Sequence, residues 1–171
     1  PVPPLPLVVH NNTDAPVYSV TVRALGATAD GSPAATYISG PFSPTVLQPG
    51  EWAYTEAIYL EGTAVTGALY TYEVLYGESI GAIMPVDLPL AGVTPAPGAV
   101  TGTVSNPSDA DVAGPVSVTV MCFDAAGTTP TGSFATYPGT DGIGAGESID
   151  FTVTSEGDCP TFAAAGSGWN F

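Results

Sequence analysis

The feature that most constrains the fold of this chain is an alternation of apolar and polar residues with a period of two. Apolar side chains take the even positions of residues 17–25, and in residues 116–124 they take positions 116, 118, 120 and 122. In 51–60 the apolar set includes Trp52 and Tyr54. Because successive side chains of a β-strand point to opposite faces, each such run is expected to bury one face. No segment shows a helical period, so the sequence predicts an all-β protein.

The alternation occurs twice along the chain. Three pairs of short motifs recur at nearly constant spacing: 11–15 and 106–110 (offset 95), 19–22 and 117–120 (offset 98), and 49–51 and 145–147 (offset 96). Such spacing is typical of a duplicated unit. Many short strands separated by turns favour a β-sandwich. The sequence therefore predicts two immunoglobulin-like antiparallel β-sandwiches in tandem, at residues 1–84 and 99–171, joined by a proline-rich linker at 85–98.

The charge of the chain restricts its partners. It has one basic side chain, Arg23, no Lys, and 16 Asp and Glu residues, so its formal net charge is −15. Phosphate backbones and anionic membrane surfaces are bound mainly by Lys and Arg. The longest apolar stretches are much shorter than the ~20 residues that span a bilayer. We therefore expect no nucleic-acid partner and no membrane insertion.

The two cysteines, Cys122 and Cys159, are predicted to form a disulfide. Neither lies in a Cys-x-x-Cys motif, and the chain has a single His, which argues against a zinc site. The bridge would close a loop of about 37 residues and stabilise the fold by roughly 3–4 kcal/mol. Disulfides persist in oxidising compartments. The prediction is a secreted protein, extracellular or at the cell surface.

The second repeat resembles a known module. It carries Val-Ser-Asn-Pro-Ser-Asp at 104–109, Ser-Val-Thr-Val-Met-Cys-Phe-Asp-Ala-Ala-Gly at 117–127 and Gly-Glu-Ser-Ile-Asp-Phe at 146–151. These motifs resemble the FxLYD-type bacterial immunoglobulin-like module, and the match is weaker in the first repeat, where residues 23–26 replace the Phe-Asp-Ala stretch. The resemblance implies an extracytoplasmic or cell-surface protein, with no catalytic residues to carry over.

Candidate catalytic residues are few. His10 is the only histidine, and no Gly-x-Ser-x-Gly elbow supplies a nucleophile beside it. Paired carboxylates for glycoside hydrolysis could come from a set of first-repeat acids: Glu51, Glu56, Glu61, Glu73 and Glu78. Their positions at turns and on polar strand faces favour solvated side chains instead. The sequence predicts that the protein is not an enzyme.

Tyrosines concentrate in the first repeat and define a candidate binding face: Tyr54, Tyr59, Tyr70, Tyr72 and Tyr76. An exposed row of tyrosines can stack on sugar rings or anchor a protein interface. The alternative is that they fill the core of the sandwich and form cross-strand pairs.

The N-terminal segment is apolar and rich in proline, with Val2, Leu5, Leu7, Val8 and Val9 as its apolar side chains. Such an arm can add a strand to the open sheet edge of a neighbouring molecule. It can equally be the first strand of its own domain. Both alternatives remain open at the level of sequence.

Two further sites have weaker signals. Asn11-Asn12-Thr13 is a glycosylation sequon. Asp109 and Asp111 are loop acids that offer oxygens for calcium, although no EF-hand-like loop is present. Asp residues also cap turns through their own side chains. We expect no cofactor, with calcium as the one candidate.

These features favour a non-enzymatic extracellular structural or surface protein, such as a self-assembling filament or layer subunit that uses its N-terminal arm for strand addition. Its partners would be itself or other surface proteins. The alternative is a secreted carbohydrate- or protein-binding adhesion module with a tyrosine-rich face in the first domain, for which glycans would be the ligand. The sequence does not identify the partner.

Overall fold

The fold is built of β-strands connected by turns. A computed structural model describes residues 5–40, 42–62, 69–77 and 84–170, and within these ranges it contains strands and no helix. The strands pair antiparallel in three sheets. The all-β prediction is therefore confirmed.

The N-terminal half forms one six-stranded sheet. Its strands are β1 (Leu5–His10), β2 (Val17–Ala27), β3 (Pro33–Ser39), β4 (Val46–Leu47), β5 (Trp52–Gly62) and β6 (Leu69–Gly77). The order is β1-β5-β3-β2-β4, and β6 also pairs with β2. Because β3 and β6 both pair with residues 23–27, they lie on opposite edges of β2.

The C-terminal half forms two sheets that share one apolar core. Its strands are β7 (Met84–Leu88), β8 (Leu90–Ala96), β9 (Ala99–Ser105), β10 (Val112–Phe123), β11 (Pro130–Gly139), β12 (Gly142–Ile143), β13 (Ser148–Thr154) and β14 (Thr161–Asn170). One sheet has the order β11-β10-β14-β7, with β12 on β10, and the other is β13-β9-β8. The arrangement is sandwich-like.

The predicted alternation builds the core of each half. In β2, the side chains of Val20, Val22 and Ala24 are buried. The odd-numbered residues Arg23 and Leu25 are exposed on the opposite face. In β10, four alternate residues are buried: Val116, Val118, Val120 and Cys122. The disulfide between Cys122 and Cys159 is present, with 5.3 Å between its Cα atoms and 37 residues between its ends in sequence.

Strand β5 turns toward the core the face opposite to the one that carries Trp52 and Tyr54, which the sequence predicts to be apolar and buried. Among the described side chains of β5, residues 52–55, Ala53 and Thr55 are buried and Trp52 is exposed. The Trp52 ring instead stacks on His10, with 4.2 Å between ring centroids. Tyr54 is half-buried, because its ring packs edge-on against Phe123 of the C-terminal half. The aromatic side chains of this strand are thus used at its surface rather than in its core.

The predicted linker at 85–98 forms strands instead. Residues of β7 pair with β14, with Val86 opposite Gly168, and β8 pairs with β9. Leu88 is buried in the C-terminal core. The prolines are tolerated because β7 and β8 are edge strands, where one side of the backbone needs no ladder partner. This segment is part of the C-terminal sheets rather than a free spacer, and the division of the chain into two domains stays a prediction.

The repeated motif has the same local structure in both halves. Asn11 and Asn106 are each buried after the first strand of their repeat, at 4% and 1% exposure. The amide of Asn11 donates to the carbonyl oxygens of Ala15 and Leu47, both at 2.9 Å. The equivalent amide of Asn106 donates to the carbonyl oxygens of Ala110 at 2.8 Å and Ile143 at 3.2 Å. A buried side chain thus ties each Asn turn to the neighbouring loop.

The two halves are in contact. The Tyr54 ring packs edge-on against Phe123, with 6.1 Å between centroids. The backbone N–H of Thr45 donates to Asp87 of β7 at 3.3 Å. Burial raises the pKa of the Asp87 carboxyl to about 6, an effect that the Thr45 hydrogen bond partly opposes.

Candidate interaction surface

Exposed apolar side chains cluster on strand β6 and its neighbour β2. Of the eight large hydrophobic residues exposed in the described part of the chain, six lie here, with exposures from 43% to 71%. We call this set the β6 surface; it consists of Leu25, Leu69, Tyr72, Val74, Leu75 and Tyr76. Exposed apolar side chains that occur singly are ordinary, but contiguous ones mark binding sites.

The β6 surface has two faces. Tyr72 lies opposite Ala24, and Val74 opposite Val22, so they share the face of the sheet that carries the N-terminal core. Ala24 and Val22 are buried, whereas their partners on β6 are half-exposed. The core side of the sheet is therefore left uncovered at this edge.

The other face of β6 is also apolar. Leu69 and Leu75 are at odd positions, on the same face as Leu25 of β2. A strand with apolar side chains on both faces is usual in a sheet covered on both sides. Here Leu69 is 71% exposed.

The backbone of β6 also has a free edge. Among the described residues, β2 is the only strand that pairs with it. An edge strand presents N–H and C=O groups that can pair with another chain, and native proteins commonly protect such edges with charges, prolines or bulges. Residues 69–77 contain no proline and one charged side chain, Glu73. This edge is therefore suited to accept a strand.

The electrostatics of the surface differ from those of the whole chain. Arg23, the only basic side chain of the protein, donates to Glu73 across β2 and β6, with 3.1 Å between Nη1 and Oε2. Both side chains are about half-exposed, so the pair contributes little to stability. Its consequence is a β6 surface with no net charge in a protein whose formal net charge is −15.

The five predicted tyrosines are divided between roles. Tyr72 and Tyr76 lie on the β6 surface. Tyr70 packs against the core, edge-on to Tyr37 at 5.9 Å. Tyr54 contacts the other half, and burial raises the pKa of its hydroxyl. The side chain of the fifth, Tyr59, lies outside the described residues.

The predicted N-terminal arm is the first strand of its own sheet over the described residues. Leu7 pairs with Thr55 of β5 and is buried in the core, and Val8 and Val9 pair with the next residues of β5. Leu5 belongs to the same strand, and Val2 lies outside the described residues. Because Leu7 already contributes to the core, residues 5–10 are not free to add to another molecule.

The candidate catalytic groups have structural contacts. The His10 ring donates to the carbonyl oxygen of Gly50 at 3.1 Å besides stacking on Trp52. The carboxylate of Glu51 accepts the N–H of Gln48 at 2.8 Å. Glu73 pairs with Arg23. Glu78 and the side chains of Glu56 and Glu61 lie outside the described residues.

The geometry of Asn11 argues against a glycan there. A glycan would attach to the side-chain nitrogen, which is buried and already donates two hydrogen bonds. The Oδ1 atom accepts from both the backbone N–H and the hydroxyl of Thr13. The sequon residues thus build a turn.

The calcium candidates do not converge. Asp111 accepts the N–H of Ala145 at 3.0 Å, and Asp109 is exposed in the preceding turn. In the ranges that the structure covers, no group of three His, Cys, Asp or Glu side chains is placed to hold a metal ion. Likewise, those ranges include no helix long and apolar enough to cross a bilayer.

A cleft of about 400 Å³ lies between the two halves. Its lining includes small hydroxyl side chains and several aromatic ones, among them Phe42, Ser117, Phe134, Tyr137 and Trp169. No carboxylate, His or Cys is among its described lining residues, so they offer no acid–base pair for hydrolysis.

Sequence reasoning missed Leu25, Leu69 and Leu75. The available signal was that residues 69–76 carry apolar side chains at both odd and even positions, which breaks the alternation seen in β2 and β10. That pattern predicts either a fully buried strand or a binding surface, and the choice depends on how much of the sheet is covered.

Comparison with known proteins gives no match to a family model, a curated protein or a solved structure.

Proposed function

We propose that this protein is a non-enzymatic extracellular structural or surface protein, made of two immunoglobulin-like sandwiches, that assembles with protein partners through the β6 surface. The observation that carries the proposal is an exposed strand that has apolar side chains on both faces and, within the described ranges, no partner at its outer backbone edge. Burial of such a strand gains hydrophobic free energy and backbone hydrogen bonds together.

The location outside the cell is supported by the disulfide. Cys122 and Cys159 are bonded and buried, as is common in proteins of oxidising compartments. The excess of carboxylates keeps such a protein soluble through mutual repulsion.

Charge also indicates where partners bind. Two copies that approach through their acidic surfaces repel one another. The β6 surface is the exception, because Arg23 offsets Glu73 and the remaining side chains of the set are apolar. Contacts between copies, or with other acidic surface proteins, are least opposed at this site.

Sedimentation velocity with increasing protein concentration tests the proposal, at neutral pH and at a pH where most carboxylates are protonated. We expect the wild type to form assemblies, more readily in acid or at high salt, where repulsion is weaker. Tyr72→Ser combined with Leu75→Ser should abolish them. Tyr137→Ser is the matched control, because it removes an equally exposed tyrosine of the C-terminal half. Assembly that the double variant leaves intact would contradict the proposal, as would a monomer under all conditions.

One observation favours a second function, the binding of carbohydrate. Tyr72 and Tyr76 are more than half-exposed on one face of β6, four residues apart, which corresponds to about 13 Å along a strand. This spacing suits stacking on two rings of a glycan chain. A glycan array would test it: binding should survive Tyr72→Phe, which keeps the ring, and be lost with Tyr72→Ala. Absence of any retained glycan would eliminate this function.

A further inference from the structure

We infer that the N-terminal half accepts one extended segment of another polypeptide, which adds a strand at β6 and a second strand at β1. The same arrangement is already present within the molecule, where β7 and β8 occupy the corresponding edges of the C-terminal half. The inference rests on the proposed function and names the partner of the same surface.

The two halves can be aligned through their strand registers. Ala24 of β2 lies opposite Tyr72, and Cys122 of β10 lies opposite Phe162. Since 24 and 122 are equivalent in the repeat, with the offset of 98 found for the Ser-Val-Thr-Val motifs, β6 corresponds to β14. The strands before Asn11 and Asn106, β1 and β9, correspond in the same way.

The corresponding edges differ in occupancy. In the C-terminal half, β14 pairs with β7 and β9 pairs with β8, and β7 and β8 are separated by Pro89 alone. In the N-terminal half, β6 pairs only with β2 and β1 only with β5, among the described residues. One segment that changes sheets at a proline therefore closes the C-terminal half. In the N-terminal half no described strand pairs with the outer backbone edge of β6 or of β1, although β1 also lies close to β11 of the C-terminal half.

The exposed core side of β6 follows from this difference. In the C-terminal half, Leu90 and Val93 of β8 pack on the same core as Phe162 of β14. In the N-terminal half the equivalent of Phe162 is Tyr72, which is 55% exposed. A strand on β1 with apolar side chains at the places of Leu90 and Val93 would cover Tyr72 and Val74.

The chemistry of the segment can be stated. It is extended, about a dozen residues long as β7 and β8 are together, and apolar at alternate positions. It carries few carboxylates, because the chain is strongly acidic and its β6 surface is neutral only through Arg23. A proline at its centre, like Pro89, suits the change of sheet.

One residue refines the specificity. Two positions beyond Val74 and its equivalent Ala164 are Tyr76 and Gly166. A Cβ added at Gly166 would lie 2.9 Å from both the Leu88 carbonyl oxygen and Leu90 Cδ2. The β2–β6 register shifts between Tyr18 and Thr21, beside Tyr76, so this alignment rests on sequence position. It places Tyr76 next to the position of Leu90, and the incoming segment should have a small apolar residue there.

The test uses the full chain and a synthetic peptide of residues 84–96 with Leu90→Ala, labelled for fluorescence anisotropy. We expect saturable binding of one peptide per chain, weakened about tenfold or more by Val74→Ser and unchanged by Tyr137→Ser. Two control peptides, one scrambled and one N-methylated at alternate residues to remove ladder donors, should not bind. Hydrogen exchange should show new protection in residues 69–77 and 5–10, and none in 166–170, which is already paired.

Absence of binding, equal binding of the scrambled peptide, or protection confined to β14 would overturn the inference. Pairing of the β6 edge with β6 of a second copy would also overturn the inference. It would be detected without peptide, as protection of residues 69–77 that increases with protein concentration. If peptide binding fails while assembly still depends on Tyr72 and Leu75, this inference falls and the proposed function stands. If both fail, the proposed function falls too.

Discussion

Ala24 and Tyr72 are direct cross-strand partners in β2 and β6, yet Ala24 is fully buried and Tyr72 is 55% exposed. Side chains opposite each other in an antiparallel pair lie on one face, so they normally share an environment. The cover over this face of the sheet thus ends between the two strands. The predictions below test this boundary and the contacts that hold each half together.

The first prediction compares Val22 with its partner Val74. Val22→Ala leaves a cavity in the core and should lower the free energy of unfolding by about 2 kcal/mol. Val74→Ala should lower it by less than about 0.5 kcal/mol, since Val74 is half-exposed. Urea unfolding of the monomer measures both. Equal losses for the two variants would show that β6 is covered in solution.

The second prediction concerns the buried asparagines. Asn11→Ala removes the donors for the Ala15 and Leu47 carbonyls and the acceptor for Thr13, and should destabilise the protein by about 2–3 kcal/mol. Asn106→Ala should have a similar effect. Asn12→Ala, at the neighbouring exposed position, should be nearly neutral. Thermal or urea unfolding gives the comparison, and a neutral Asn11→Ala would refute the role of the motif.

How far the sequence predicts the fold depends on the strand. Alternation was sufficient for β2, because that strand has one face in a core and one outside. In β10 it located the core face at positions 116, 118, 120 and 122, but it did not predict that Met121 on the other face is also buried. It misassigned the core face of β5, since Trp52 and Tyr54 are apolar enough to suggest a core yet pack at surfaces with His10 and Phe123. The alternation of residues within one strand does not predict contacts with residues that are distant in sequence.

Long-range pairing explains the remaining differences. The prolines of residues 85–98 predicted a linker, whereas residues of this segment form edge strands. A pairing partner some 80 residues away in sequence, such as Gly168 for Val86, leaves no local trace. Two members of the tyrosine-rich candidate face, Tyr72 and Tyr76, lie on the β6 surface, and their role in binding stays a prediction. Which of its members are exposed depends on what covers the sheet, and that is a property of the assembled fold.

The third prediction concerns the disulfide. Replacing Cys122 and Cys159 together by Ala should lower the free energy of unfolding by roughly 3–4 kcal/mol, because the 37-residue loop gains entropy in the unfolded chain. A reducing agent should destabilise the wild type similarly and leave the double variant unaffected. Wild type and double variant with equal urea midpoints would contradict the prediction.

The fourth prediction is a pH dependence from Asp87. Burial raises its pKa from 3.8 to about 6 in the folded protein, so between these values the folded state binds more protons than the unfolded state. This contribution to stability is therefore present in acid and is lost as the pH rises from about 4 to about 6. Asp87→Asn should remove that part of the slope in urea titrations across this range. An unchanged slope in the variant would exclude Asp87 as its source.

Amide hydrogen exchange measures directly whether β6 is an open edge in the isolated molecule. In a dilute, monomeric solution of the protein, Gly166, Ser167 and Trp169 of β14 should be protected, because each is paired with both β10 and β7. Residues 69–77 of β6 should contain amides that exchange rapidly, because one side of the strand has no partner among the described residues. Protection of β6 equal to that of these β14 residues in the monomer would contradict an open β6 edge.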